Sequence, residues 1–446
     1  MFTGIRLTLL LCLAAPMLFF ATDAYFKSSD QLWSAFMQSD YEEKWKAVDK
    51  ALDEGLPKTA LEMVEVIYAK AEREENIPQF VKAVTYRVRL RAVMDDEDEV
   101  VLVRDLEKEV ARAKQPVRSI LQSMLATVYW NHYQSNRWQI SQRTQVEDAP
   151  EQDFRTWDAS RFFDTTRALY LQSVENATLL QDIPAEKMDV ILHTASESKT
   201  YRPTLYDILV QRAVEFLAND ETSLPKPQRP FELNDLSALG PVEDFLQQRF
   251  ESPDPGDARY NVLLLYQRLL AFHRAKNNVE PLVDADLQRL AYARRNTFHE
   301  DKDTTYVQAV EALAQAYRSW PVSVLAGHAI ATWLYERGDY VAAMARCEKE
   351  IALHPRAPSI LSCRALIQSI LEKELQLDIE ESVRPDAPFI VSTVFRNLRE
   401  VHFRIVAFPN AEYGKDWTGY RSEESREDWI RSMLHRPAAH NWTAAL

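Results

Sequence analysis

The feature that most constrains the fold of this chain is a change of hydrophobic period near Glu380. Before this point apolar residues recur at helical spacing, and after it they follow the patterns of β-strands. Residues 389–395 are β-branched and aromatic, and residues 400–406 alternate between polar and apolar, which predicts two strands with 396–399 as their turn. Because an isolated hairpin is marginally stable in water, we expect residues 381–446 to hold an incomplete β domain with a C-terminal tail.

The composition predicts that residues 25–380 are all helical. The chain of 446 residues has only 8 glycines, which argues against the glycine-dependent dinucleotide and phosphate-loop folds. Its net charge of −14 disfavours nucleic acid as a partner, since binding a polyanion requires a positive surface. Apolar residues with three-and-four spacing occur at 117–133, 160–180, 205–217, 258–273 and 304–317.

Two segments have the pattern of a tetratricopeptide-type helix hairpin. In residues 331–355, Gly338 separates two helical patterns and Pro355 closes the second. A weaker copy at 45–71 has Gly55 in the turn and Pro57 at the first turn of its second helix. Since such hairpins bury their faces only against neighbours, we expect a mostly α, tetratricopeptide-like helical-repeat solenoid.

A proline-rich excursion at residues 219–256 interrupts this helical array. Its apolar side chains Phe231, Leu233, Leu236 and Leu239 would be exposed if the segment were a free hinge. We therefore expect a loop that packs on the helices.

The N-terminus has the features of a secretory signal. Arg6 precedes the apolar stretch 7–20, and Ala24 ends a short cleavage-type sequence. The apolar stretch is shorter than the roughly 20 residues that a membrane helix requires. We predict a cleaved signal peptide at residues 1–24, with an uncleaved anchor as the alternative. No later segment is predicted to span a membrane, and the mature chain is expected to be exported.

Two cysteines follow the signal segment, Cys347 and Cys363. In an exported protein they can form a disulfide, whereas buried free thiols on apolar helix faces are an equally good interpretation. Neither has a second cysteine or a histidine at ligand spacing, so no metal site is predicted.

Aromatic residues are concentrated between 129 and 170. Trp130, Tyr133, Trp138 and Trp157 are the candidates for a concave binding groove, because helical repeats place such residues either on that face or in the core between repeats. We favour the core.

No arrangement of catalytic residues is recognisable. His299-Glu300 begins like a zinc-protease helix, but Asp303 stands where the second histidine is required. We predict a chain that is not an enzyme and needs no cofactor.

Several short strings suggest a family. They are Asn136-Arg137-Trp138 followed by Arg143-Thr144, Thr156-Trp157-Asp158, Arg202-Pro203-Thr204-Leu205-Tyr206-Asp207, and the two cysteines around Pro355. In this order they resemble the N-terminal region of the very large alpha-2-macroglobulin-like proteins of Bacteroidetes-type bacteria, over residues 45–406. The resemblance implies a helical region that leads into macroglobulin-type β-sandwich domains, and an inhibitor of proteases in the periplasm or cell envelope.

Many members of that family carry a reactive thioester between a cysteine and a glutamine three residues later. Here Glu350 follows Cys347 at that spacing and Leu366 follows Cys363, so neither pair forms a thioester. We therefore expect a non-enzymatic scaffold region, truncated before the thioester region and before the bait region, the segment that an attacking protease cuts. Its expected partners are proteases or envelope proteins. The alternative is a free-standing envelope adaptor that binds peptide or glycan in a solenoid groove.

Overall fold

The structure is a computed structural model that describes residues 40–94, 99–143, 153–192, 198–223, 230–380, 384, 388–407 and 423–446. The predicted signal peptide lies outside these residues. The chain divides into two compact units, Met1–Ala312 and Leu313–Leu446. Most of the described residues are helical, with a few short antiparallel strands near the C-terminus.

Helices make up the first unit. They are α1 (Tyr41–Asp53), α2 (Pro57–Arg73), α3 (Ile77–Met94), α4 (Glu99–Arg112), α5 (Val117–Ser141), α6 (Ala159–Ser173), α7 (Ala177–Gln181), α8 (Ser198–Tyr201), α9 (Leu205–Leu217), α10 (Val242–Gln247), α11 (Ala258–Lys276), α12 (Val279–Asn296) and most of α13 (Lys302–Ala316). Short 3-10 helices lie at Phe154–Thr156, Ala185–Met188, Asp220–Ser223 and Ser237–Leu239.

Local sequence signals fix where several of these helices begin and end. Asp40 caps α1 by accepting a hydrogen bond from the backbone of Glu43. Gly55, at φ +73°, turns the chain between α1 and α2, so the hairpin predicted at 45–71 is present. Thr204 and Asp207 form a capping box that starts α9.

The described part of the proline-rich excursion packs on the helices of the first unit. Phe231, Leu233 and Leu239 are buried. The excursion is held by the buried guanidinium of Arg289, which donates to the carbonyls of Ala238 at 2.6 Å and Gly240 at 2.9 Å. Thus, in the described part of this segment, Arg289 satisfies two backbone carbonyls and three apolar side chains are covered.

The second unit begins with α14 (Ser323–Glu336), α15 (Tyr340–Leu353) and α16 (Ile360–Leu371). Gly338, at φ +81°, joins α14 to α15, as the sequence pattern predicts. These three helices share a small core whose fully or nearly buried members are Val324, Ala331, Cys347, Ala357, Ile360 and Cys363.

Four strands follow in two separate ribbons. They are β1 (Glu374–Ile379), β2 (Val391–Arg396), β3 (Glu400–Val406) and β4 (Ala438–Ala445), with α17 (Glu423–His435) between β3 and β4. The strands β1 and β2 pair in one antiparallel ribbon, and β3 and β4 pair in the other.

The predicted pairing of the strands was wrong, although β2 and β3 lie where the sequence predicts strands. They do not form a hairpin with each other. Instead Asn397, at φ +57°, donates from its side chain to the carbonyls of Ile370 at 2.6 Å and Glu372 at 2.9 Å. These bonds hold the end of β2 against the end of α16, where β1 starts.

The boundary near Glu380 was also wrong. The helical region ends at Leu371 and β1 lies within the residues predicted to be helical. In β1 apolar Leu375, Leu377 and Ile379 alternate with polar residues, which is strand periodicity. The predicted C-terminal tail contains α17 and β4.

Candidate functional site

The candidate groove aromatics lie mainly inside the first unit. Trp157 stacks on Tyr129 with ring centroids 5.1 Å apart, and Trp130 stacks on Tyr133 at 5.3 Å. Tyr133 and Trp157 are buried, and Trp130 is half-buried. This cluster therefore belongs largely to the packing of α5 on α6, and stacked rings at these separations stabilise such a core.

Trp138 does not join this cluster. It lies near the end of α5 with 76% of its surface exposed. The four residues predicted to line one groove therefore do not share one surface.

The two cysteines lie together in the core of the second unit. Cys347 on α15 and Cys363 on α16 are both fully buried free thiols, and they hydrogen-bond to each other. The bond from Cys363 lowers the pKa of Cys347, whereas donating that bond raises the pKa of Cys363. The disulfide stays a prediction for two free thiols that share one core cluster.

Glu350, at the position that a thioester glutamine would occupy, serves a structural purpose. Its carboxylate accepts a hydrogen bond from the Nε atom of Arg346 at 2.8 Å and is nearly fully buried. It lies against Gly327 of α14. This packing explains why a charged side chain is tolerated between these two helices.

A cleft lined by both charged and apolar residues opens beside α4 in the first unit. It has a volume of about 400 Å³, and its lining includes exposed Glu72 and Glu75, exposed Arg112 and Lys114, and apolar Phe80. The cleft lining therefore combines charges of both signs with apolar surface.

Buried Glu109 lies at the base of this cleft. It accepts hydrogen bonds from Nη1 of Arg87 and Nε of Arg112, both at 2.8 Å. The two guanidinium groups also lie over the ring of Tyr68, 4.6 and 5.1 Å from its centroid. Burial raises the pKa of Glu109 to about 7, and the nearby charges of Arg87 and Arg91 oppose this rise.

The β1–β2 ribbon exposes an apolar face. The register places Leu375 opposite Phe395 and Ile379 opposite Val391, so these side chains share one face of the ribbon with Leu377. Between 41% and 50% of the surface of Leu375, Leu377 and Ile379 is accessible. A ribbon of this kind normally buries such a face against another layer.

The β3–β4 ribbon has an apolar face of its own. Phe403 stacks on Trp442 with centroids 4.8 Å apart, and Ile405 lies on the same face. Ile405 and Trp442 line a groove of about 490 Å³ together with Val391, the first residue of β2, and Phe389, which precedes that strand. Apolar side chains from both ribbons therefore line one groove.

Sequence reasoning missed both the cleft at Glu109 and the ribbon edge at β1. The ion pairs around Glu109 draw charged residues from α2, α3 and α4, and each helix alone looks like an ordinary solvated helix. The alternation in residues 374–379 is a signal that would have revealed β1.

Within the described residues, no group of three or more His, Cys, Asp and Glu side chains is arranged to hold a metal ion. None of the described helices is long and apolar enough to cross a membrane. No known family model matches the sequence, and no curated protein shows significant similarity to it.

Proposed function

We propose that this chain is the non-enzymatic scaffold region of an exported alpha-2-macroglobulin-like protease inhibitor. The observation that carries the proposal is the groove between the two ribbons, with the accessible apolar faces around it. Two-stranded ribbons gain stability when further β structure covers such a face. A helical region that ends in partly covered β-ribbons fits a protein in which β-sandwich domains continue the sheet.

The helical part has the role of a support in this proposal. We propose that α1–α2 and α14–α15 are units of a tetratricopeptide-like repeat array. Each hairpin turns at a glycine with positive φ, Gly55 or Gly338, and packs small residues such as Ala60 or Ala343 in its core. Neither Cys347 nor Cys363 has a glutamine at thioester spacing, so covalent capture of a protease is assigned to other domains.

The coding DNA that follows the codon of Leu446 provides the test. We expect the reading frame to continue into β-rich domains. When those domains are produced separately, they should bind the purified chain. Phe403→Ser/Trp442→Ser should weaken that complex by removing the stacked pair, of which Trp442 lines the groove. A stop codon in an intact locus would overturn the proposal.

The cleft beside α4 favours a second candidate, an envelope adaptor that binds peptide. Its lining carries both acidic residues, Glu72 and Glu75, and basic residues, Arg112 and Lys114, which suits a short segment that carries both charges. A peptide-array screen with the purified protein tests this candidate. Binding that is lost in Lys114→Glu and retained in Lys108→Glu, an exposed lysine outside the cleft lining, would support the adaptor function.

A further inference from the structure

We propose that the open edge of β1 is a docking site for an extended segment that alternates apolar and basic residues. This inference rests on the proposed function, in which the ribbons receive further β structure. It adds the position at which a strand would be added and the chemistry of that strand.

The backbone of β1 is open on one side. Every residue of β1 is exposed, and within the described residues β1 pairs only with β2. By contrast Val391, Thr393 and Arg396 of β2 are half-buried. An exposed edge of this kind presents unpaired N–H and C=O groups that accept an added strand.

The side chains of β1 determine which strand fits. Glu374, Gln376 and Asp378 lie on one face, and exposed Glu380 follows in the same alternation. An added strand places each side chain beside a β1 side chain on the same face. The apolar face would therefore receive apolar residues, and the acidic face would receive lysine or arginine.

The neighbouring strand already shows one such pair. Arg396 of β2 lies opposite Glu374, with its Nη2 atom 3.4 Å from the carboxylate. Asp378 lies opposite Ser392, which carries no charge. The acidic face of β1 is thus only partly balanced by β2, and a basic partner strand would complete the charge pairing.

A second copy of this chain fits the edge poorly. Antiparallel pairing of two β1 strands about Leu377 would place Glu374 of each strand opposite Glu380 of the other. Parallel pairing in register would place each acidic residue beside its own counterpart. Like charges across a strand pair are destabilising, so the charge pattern favours a partner with a different sequence.

Binding of designed peptides to the purified protein tests the inference. The probe is a fluorescein-labelled peptide of nine residues that alternates lysine and valine, and binding is followed by fluorescence anisotropy. We expect Asp378→Lys to weaken binding about 3- to 10-fold, because a favourable pair becomes a repulsive one. The same variant should gain affinity for a peptide that alternates glutamate and valine.

Two controls separate strand pairing from simple ionic attraction. Glu400→Lys changes an exposed acid on β3 and should leave binding unchanged. A second lysine–valine peptide, with proline at two central valine positions, keeps its charge but loses backbone donors, and it should not bind. Circular dichroism verifies that both protein variants remain folded.

Three peptide-binding results would overturn the inference. They are equal binding of the proline peptide, equal loss of binding in Glu400→Lys and Asp378→Lys, and no binding of the lysine–valine peptide. A dimer of the wild-type chain in light scattering that Asp378→Lys abolishes would also overturn it, because a second copy would then occupy the edge. Sequencing the coding DNA beyond the codon of Leu446 tests the proposed function separately. The proposed function and the inference about β1 can therefore fail independently.

Discussion

Gly327 and Glu350 fill the same space between α14 and α15. A Cβ atom built on Gly327 would lie 2.2 Å from Cδ of Glu350 and 2.3 Å from its Cγ, well inside van der Waals contact. Glycine is unfavourable within a helix by roughly 1 kcal/mol relative to alanine. Here its absent side chain lets a carboxylate pair with Arg346 inside the helix contact.

We therefore expect Gly327→Ala to destabilise the protein even though alanine favours helices. Glu350 must leave its position, and overpacking of this kind costs about 1 to 3 kcal/mol. The measurement is the free energy of unfolding by urea denaturation. Adding Glu350→Ala to Gly327→Ala removes the obstructing side chain and should recover part of the lost stability. A double-mutant cycle in which the two effects simply add would contradict the packing described.

The raised pKa of Glu109 predicts a specific dependence of stability on pH. Its folded-state pKa of about 7 lies above its usual value of 4.5 because of burial. Between these two values the folded chain retains a proton that the unfolded chain releases, so this group's contribution to the free energy of unfolding falls as pH rises from about 4.5 to 7. Above that window the contribution is constant.

The variant Glu109→Gln should lack this component, because glutamine does not titrate. Denaturation curves between pH 4.5 and 7.5 give the free energies of unfolding of the variant and the wild type. The difference between these two free energies should change by on the order of 3 kcal/mol over this pH range. Glu62→Gln, at an exposed position on α2, is the matched control. A constant difference between Glu109→Gln and the wild type would contradict the raised pKa.

Local sequence patterns predicted the helices well and the strand pairing poorly, for physical reasons. Gly55 and Gly338 mark their turns because glycine adopts positive φ without steric cost. The helical pattern at 160–180 is in fact two helices, since the chain turns after Ser173 and resumes at Ala177. Asn176 in that turn is a residue type that favours helix caps over helix interiors.

Strand pairing depends on contacts between distant residues. Glu400 pairs with Ala445, and nothing in the alanine-rich pattern of residues 438–445 distinguishes a strand from an irregular tail. The same limit applies to the candidate sites. The two cysteines were predicted as a possible pair. The ion pairs around Glu109, by contrast, join residues of different helices, and each of these helices alone shows an ordinary charged face.

Arg289 should be among the residues on which the first unit most depends. It is fully buried, bonds to Asp286 at 2.6 Å, and donates to two carbonyls of the proline-rich excursion. Arg289→Met would leave the buried Asp286 carboxylate without its partner, which costs about 3 to 5 kcal/mol. Urea denaturation provides the measurement, and Asp286→Asn added to Arg289→Met should restore part of the loss.

The exposed pair Arg274 and Glu243 provides the control for this prediction. Its atoms approach to 2.7 Å, close to the separation in the buried pair, but both side chains are about half exposed. Solvent screening limits such pairs to less than about 1 kcal/mol. A similar loss in Arg274→Met and Arg289→Met would refute the argument from burial.

Oxidation should join Cys347 to Cys363. Their thiols already hydrogen-bond inside the core of α14, α15 and α16, so a covalent bond requires little rearrangement of the helices. With diamide as the oxidant, the two thiols lose two protons and two electrons, and diamide is reduced to the hydrazine. Closing this short loop should stabilise the folded chain by roughly 3 kcal/mol relative to the dithiol, chiefly by restricting the unfolded state.

Mass spectrometry after alkylation under denaturing conditions measures the state of this pair. Protein refolded with diamide should take up no alkylating agent at either cysteine, whereas reduced protein should take up two equivalents. The oxidised form should also unfold at a higher temperature, and Cys347→Ala/Cys363→Ala should show no response to diamide.

Because both sulfur atoms are fully buried, the disulfide bond should form faster during refolding than in the folded protein. Equal rates in the two states would show that the helices open readily enough to expose the thiols.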